Sequence, residues 1–193
     1  MQGETADRIL QSAKTLITDL GYSAFSYADI SEAVHIRKAS IHHHFPTKAN
    51  LVAAVLKAHR EALVQGTQAL TQNIDDPLAR LKAYVQYWEG CIRDKSQPFC
   101  IAALLAAELP SLPEEVRFAV QQHFLALSEW IRQTLEEGVR KRTIKLQGTP
   151  EDEAQTLMAT VHGAMLSARA LGNCDVFRAI TTGALQRISA RKP

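Results

Sequence analysis

Residues 21–51, GYSAFSYADISEAVHIRKASIHHHFPTKANL, hold two short helical patterns separated by room for only a tight turn, and the second pattern is basic and rich in imidazole. No other stretch constrains the fold as strongly, because this is the outline of a helix-turn-helix. Ser26 with Asp29 three positions on makes a capping-box start: the hydroxyl takes an orphan amide of the first turn, and the carboxylate suits the positive end of the helix dipole. A helix is therefore predicted from Tyr27. Ile30 and Val34 share its buried face with Ala33 beside them, while Ser31 and Glu32 point outward. The turn falls at His35 and Ile36. The second helix, through Arg37, Lys38, Ala39, Ser40, Ile41, His42, His43 and His44, carries donors around most of its surface, with Ile41 and Phe45 as its anchoring pair. Such a helix suits the major groove of DNA better than a core.

The rest of the chain is punctuated as helices too. Ile9, Leu10, Ala13, Leu16, Ile17 and Leu20 form a 3.6-residue stripe that stops at Gly21, a residue suited to a left-handed cap. Thr47 can cap a long helix striped Leu51, Val52, Val55, Leu56, His59 and Leu63, running to about Leu70 and expected to join two domains. Asp75-Asp76-Pro77 restarts the pattern with an N-cap carboxylate and Pro at the first helical position, leading Leu78, Leu81, Tyr84, Val85, Trp88 and Ile92. Phe99 to Leu109 is almost wholly apolar and is expected at the centre of the second domain. From Glu114 a helix presents Val116, Val120, Phe124, Leu127, Ile131, Leu135 and Val139, fraying at Arg140-Lys141-Arg142. Thr149, Pro150 and Asp152 start another, with Ala154, Leu157, Met158, Val161, Ala164, Met165 and Ala168, which Gly172-Asn173 ends. A last helix uses Val176, Phe177, Ile180, Ala184 and Ile188, and Arg191-Lys192-Pro193 reads as a loose tail. No segment alternates with period two, so the fold class is all-α with about nine helices: an N-terminal three-helix reading domain at 3–63, its helix-turn-helix at 26–45, and a regulatory domain at 75–190.

On these residues the chain resembles the TetR family of transcriptional regulators. The positions that carry the likeness are Gly21, Tyr22, Asp29, Ile30, Ser40, Ile41, His44, Phe45, Thr47, Lys48 and Leu51, in roughly the first third of the chain. Three positions depart from the family pattern. Its usual Gly-Val turn is His35-Ile36 here, its usual Ser, Thr or Pro cap of the reading helix is Arg37, and its usual phosphate-contacting Tyr is His42. His tolerates positive φ better than most residues with a Cβ, so the turn is reshaped rather than excluded. The resemblance implies a DNA-binding regulator, most simply a repressor, that acts as a homodimer on a near-palindromic double-stranded operator and is released by a small-molecule inducer. Ser26, Tyr27, Arg37, Lys38, Ala39, Ser40, His42, His43 and Lys48 are the expected DNA-binding residues, with His44 packing beside Phe45.

The net charge of +2 over 193 residues does not by itself indicate nucleic-acid binding, so a local patch has to supply it. No carboxylate interrupts the run from Arg37 to Lys57. No stretch approaches the apolar length that spans a bilayer, and the opening MQGETADRIL has no signal-peptide core, so a cytoplasmic protein without membrane attachment is expected. Cys91, Cys100 and Cys174 are too irregularly spaced for a disulfide framework or a zinc pattern. Successive helical residues point about 100° apart, so three consecutive histidines cannot converge on one ion, and neither metal nor cofactor is expected.

Polar or aromatic residues on otherwise apolar helices are the ligand candidates: Tyr84, Trp88, Cys100, Glu108, His123, Trp130, His162 and Met165. Glu108, in the run AALLAAEL, must be paired, exposed at the helix end, or turned to a ligand. Cys100 opens the most apolar helix, where a thiol can be activated, which leaves a thiol-based sensor of electrophiles or oxidants as an alternative, beside an activator with no ligand. No nucleophile and base occur in a readable motif, so an enzyme built on Glu108 or Cys100 is set aside. Ala159, Gly163 and Ala164 permit close helix approach, and the stripes at 116–139 and 154–168 are the expected pairing faces of the dimer.

Overall fold

The computed structural model describes residues 2–97 and 99–190, and the expected tail at 191–193 lies outside them. Among the described residues the regular elements are helices: α1 Gln2–Leu20, α2 Tyr27–Val34, α3 Lys38–His44, α4 Lys48–Asn73, α5 Pro77–Asp94, α6 Ile101–Ala107, α7 Glu114–Arg140, α8 Pro150–Leu171 and α9 Cys174–Ile188, with one 3-10 turn at Leu109–Ser111. None is long and apolar enough to cross a membrane. The chain forms two compact units: residues up to Glu61 with Ile101–Phe124, and Ala62–Cys100 with the residues from Leu125 onward. Two of the three dividing points fall inside α4 and α7, and the third directly before α6.

In the first unit, α1 packs on α2, α2 on α3, and α6 on α1. Ile9, Ala13 and Ile17 of α1, Ile30 and Val34 of α2, Ile41 of α3, and Leu51, Val52, Val55 and Leu56 of α4 are all buried. Burying each such side chain is favourable by roughly 1.5–3 kcal/mol, which is how helices as short as α2 and α3 can persist. The expectation for Phe99 to Leu109 is half corrected. Ile101, Ala102 and Leu105 are buried as the sequence suggests, but α6 packs against α1 in the first compact unit. An all-apolar helix has no polar face to orient it, so its composition states that it is covered without stating by what.

In the second unit, α9 packs on both α8 and α5. Leu78, Leu81, Tyr84, Val85 and Trp88 of α5 are buried, as are Leu127, Ile131 and Leu135 of α7 and Phe177, Thr181, Ala184 and Leu185 of α9. Side-chain oxygens begin the helices as the sequence predicts: Asp76 accepts the Leu78 amide at 3.0 Å and Thr149 the Asp152 amide at 3.1 Å. The pairing faces need correction. Val116, Val120, Leu127, Ile131 and Leu135 of α7, and Ala154, Leu157, Met158, Val161, Ala164, Met165 and Ala168 of α8, are buried within the chain itself. The small residues Ala159 and Gly163 remain exposed, on one α8 face with Leu166 and Ala170.

After α7 the chain turns through Arg142, at φ 56°, into a short clasp. There the Lys145 amide donates to the Ile188 carbonyl at 2.8 Å, and the Ala190 amide to the Thr143 carbonyl at 3.1 Å. The clasp seats Ile144 against Gly138, where an added Cβ would lie 2.4 Å from Ile144 Cδ1 and 2.9 Å from its Cβ. Gly138→Ala is therefore expected to cost about 1–3 kcal/mol of stability through overpacking, although alanine is the better helix former. Urea unfolding monitored by circular dichroism checks this, and an unchanged or raised midpoint would contradict it.

Candidate nucleic-acid interface

The reading head starts from its caps. Ser26, at φ −138° and ψ 175°, accepts the Ala28 amide on Oγ at 3.1 Å, and Asp29 Oδ2 accepts the Ser26 amide at 2.6 Å and its hydroxyl at 2.9 Å. These bonds, first the one from the Ser26 hydroxyl, hold the Asp29 carboxyl below its ordinary range. At the other end of α2, His35 takes the left-handed conformation, φ 56° and ψ 46°. Ser31, expected to point outward, is half-buried and locks that turn by donating its hydroxyl to the Ile36 carbonyl at 2.6 Å, while the Ile36 amide donates to the Ser31 carbonyl at 3.2 Å. A polar side chain on an outward-looking position can fold back to a nearby carbonyl, and the helical pattern does not register it. Arg8 of α1 adds a tie to the same end of α2 by donating to the Val34 carbonyl at 2.7 Å.

Arg37 directly precedes α3 at the cap position, extended at φ −71° and ψ 144°, and makes no side-chain cap. Its guanidinium is exposed, as are Lys38, Ala39, His42 and His43, while Ser40 is half-buried and Ile41 wholly buried. His42 Nδ1 lies 3.1 Å from the Pro46 carbonyl oxygen, and its ring sits 4.7 Å from that of Tyr27. The His44 and Phe45 rings approach to 6.4 Å, in line with the packing expected for that pair.

Two of the expected contact residues turn inward. Tyr27 is 9% exposed and donates its hydroxyl to the Phe45 carbonyl at 2.7 Å, bracing α2 against the end of α3. Burial pushes its phenol up to about 12. Lys48 donates its ammonium to the Phe25 carbonyl and lies over the Phe25 ring at 4.2 Å and the Tyr22 ring at 4.7 Å. Burial draws its pKa down, against the Asp29 and Glu108 charges that hold it up. Both side chains combine a long apolar body with a polar tip, and such residues can satisfy that tip at a neighbouring carbonyl instead of in solvent. Ser26 is exposed, but its oxygen already serves the α2 cap. The exposed side of α3 and its N-cap therefore consists of Arg37, Lys38, Ala39, His42 and His43, with Ser40 at its edge.

The eight ligand candidates divide between the units. Tyr84, Trp88, Cys100, Trp130, His162 and Met165 lie in the second, whereas Glu108 and His123 lie in the first. The Tyr84 and Trp130 rings meet at 5.5 Å, and the Trp130 indole donates to Thr71 Oγ1 at 3.1 Å. Burial lifts the Tyr84 phenol above its ordinary range and takes the His162 imidazole down to about 4, so His162 is neutral at pH 7. Cys100 is 0% exposed, whereas a sensing thiol needs access to its oxidant. His123 stacks on His59, with ring centres 4.7 Å apart and planes 13° apart. Glu108 is paired: its carboxylate accepts the Tyr22 amide at 3.0 and 3.2 Å.

Comparison with known proteins bears on the whole chain. Residues 9–55 match the model described as bacterial regulatory proteins, tetR family, and residues 77–184 the one described as tetracyclin repressor-like, C-terminal domain. A TetR-family transcriptional regulator from Agrobacterium tumefaciens has a crystal structure similar to this one at a TM-score of 0.96, with 51% identity over 98% of this chain and 100% of that one. The transcriptional repressor NemR of Escherichia coli is 25% identical over 170 residues, 86% of this chain and 84% of NemR. The crystal structure of its reduced form superposes with a TM-score of 0.84 at 24% identity, over 96% of this chain and 97% of that one. Models of one family thus match both the capped reading head and the larger part of the helices that follow it, and the chain belongs to the TetR family of DNA-binding transcriptional regulators.

Proposed function

We propose that this regulator is a repressor that binds a near-palindromic operator as a homodimer and leaves it when a small molecule binds the second unit. The observation that carries the reading is the α3 face of Arg37, Lys38, Ala39, His42 and His43, exposed together on a frame braced by the α2 capping box, the His35 turn and the Tyr27 hydroxyl. Backbone phosphates accept from Arg and Lys, while donors on the exposed side of a groove-lying helix reach base edges. On this reading Arg37 and Lys38 make phosphate or base-edge contacts, and His42 and His43 stand beside them. The reading domain extends to about residue 63 and the regulatory domain runs over 75–190.

The α8 stripe Ala159, Gly163, Leu166 and Ala170 supports dimerisation. Leu166 is 59% exposed, and a Cβ added at Gly163 would meet nothing within 4 Å inside the chain. An apolar face with such small residues lets a second helix approach closely. The inducer reading draws on the aromatic and polar side chains among apolar helices in the second unit, Tyr84, Trp88, Trp130, His162 and Met165, the composition usual in small-molecule sites. Linkage makes the effect reciprocal, so operator DNA must weaken inducer binding by the same factor that inducer weakens DNA binding.

Footprinting the full chain on DNA upstream of its own gene tests the proposal. Two protected half-sites, related by a two-fold axis and about one helical turn or a multiple apart, are the expected result. A footprint at a single half-site with monomeric protein would remove the dimer, and binding no tighter than to unrelated duplex would remove the operator reading.

A further inference from the structure

We propose that Glu108 is a positioning residue for DNA recognition: without touching DNA, its carboxylate fixes the joint at which α1 ends and α2 and α4 begin. The inference rests on the DNA-binding reading of the head. Glu108 directly follows α6, and its own backbone is held on both sides, its amide by the Leu105 carbonyl at 3.0 Å and its carbonyl by the Ser111 amide and hydroxyl, each at 2.9 Å. From that fixed base the carboxylate accepts the Tyr22 amide, a charge-assisted bond and so stronger than a bond between neutral groups.

Gly21 is shaped for this contact in two ways. It caps α1 at φ 78°, and a Cβ there would stand 2.4 Å from Glu108 Oε1. The carboxylate also acts on Lys48, whose ammonium spans the Phe25 carbonyl and the Tyr22 and Phe25 rings at the first turn of α4. Phe25 directly precedes the Ser26 cap of α2, so the anion holds the end of α1 directly and faces the starts of α2 and α4 through Lys48. A second carboxylate of the same segment grips the same joint, since Glu115 Oε1 accepts the Asn50 side-chain amide at 3.3 Å and its charge raises the Tyr22 phenol after burial does. A helix pair as short as α2 and α3 takes its orientation from what holds its ends, so a slackened joint must be reordered each time DNA binds.

The test compares full-length wild type, Glu108→Gln and Glu108→Ala on the duplex that the wild type selects from random sequence, with affinity measured over a range of salt and thermal unfolding measured alongside. Glutamine keeps the shape and an acceptor but loses the charge, and is expected to weaken binding about fivefold, with alanine weakening it further. The salt slope should stay that of the wild type, because no phosphate contact is lost. A slope that falls with the affinity would make Glu108 part of the contact surface and overturn a positioning role, as would affinities within twofold of wild type in both variants. A loss of affinity only in step with the folded fraction would mark it as purely structural. Should the alanine variant fail to fold, the isosteric glutamine variant decides, and failure of the wild type to select any duplex would defeat the DNA-binding reading itself.

Discussion

Arg37→Ala combined with Lys38→Ala should cut operator affinity by about 100-fold or more at physiological salt while leaving the melting temperature within about 2 °C. The two side chains are exposed, Arg37 makes no cap to the helix it precedes, and no carboxylate lies between Arg37 and Lys57 to neutralise them. Their loss should therefore leave the head folded. Each phosphate contact releases about 0.9 counterions, so removing two should lower the slope of log affinity against log salt by about 1.8. Fluorescence anisotropy on the footprinted duplex reads both quantities. Unchanged affinity would sink the assignment of α3 as the reading helix, whereas reduced affinity at an unchanged slope would make these residues base readers.

The largest expected effect on stability comes from Arg80. It is 4% exposed and donates to the Ile74 carbonyl at 2.5 Å, to the Asp75 carbonyl, and in a two-pronged bond to Glu137. Arg80→Met keeps much of the apolar stem and removes every one of these donors. The Ile74 carbonyl then loses this partner, while Glu137 and the Asp75 carbonyl keep Lys141, at 2.8 and 2.9 Å. The cost should therefore fall toward the low end of the range for a broken buried pair, about 3 kcal/mol, or about 6–12 °C of melting temperature. The pair also has a pH signature. The Arg80 bonds, and after them those of Lys141, lower the Glu137 carboxyl from its ordinary 4.5 to about 2. A depressed folded-state pKa stabilises the protein above the unfolded value, and that stabilisation drains away as pH falls from about 5 toward 2. The difference between wild type and Arg80→Met in urea midpoint should accordingly be full at pH 7 and shrink over that acid range. A difference that holds constant to pH 3 would exclude the ion pair as its source.

What the sequence disclosed depended on how local the chemistry is. The caps at Ser26, Asp76 and Thr149 and the left-handed turn at His35 are where sequence reasoning puts them, since a cap involves residues two or three apart. Burial was legible wherever a stripe had a period. Direction was not. The α7 and α8 stripes are apolar because they form the chain's own core, and the pattern alone cannot separate that from a face meant for a second copy. Tyr27 and Lys48 have the side chains of DNA contacts, yet their tips end on the Phe45 and Phe25 carbonyls, a choice made by folding rather than by residue type. For Glu108 the need for a partner could be read from its apolar surroundings, but the partner is a backbone amide 86 positions earlier, and an amide has no sequence signature.

The composition of the first unit has a consequence for how the protein is made. Its chain leaves at Glu61 and returns only at Ile101, to supply the helix that covers α1. Emerging from the ribosome, the head can form its caps and turn early, but it lacks α6 against α1 until synthesis has passed Ala107, by which point the Ala62–Cys100 segment of the second unit has also been translated. A fragment ended at the helix-turn-helix would lack the α6 cover on α1 and the Glu108 carboxylate at the Tyr22 amide, so the first unit is complete only in a piece longer than its DNA-reading motif.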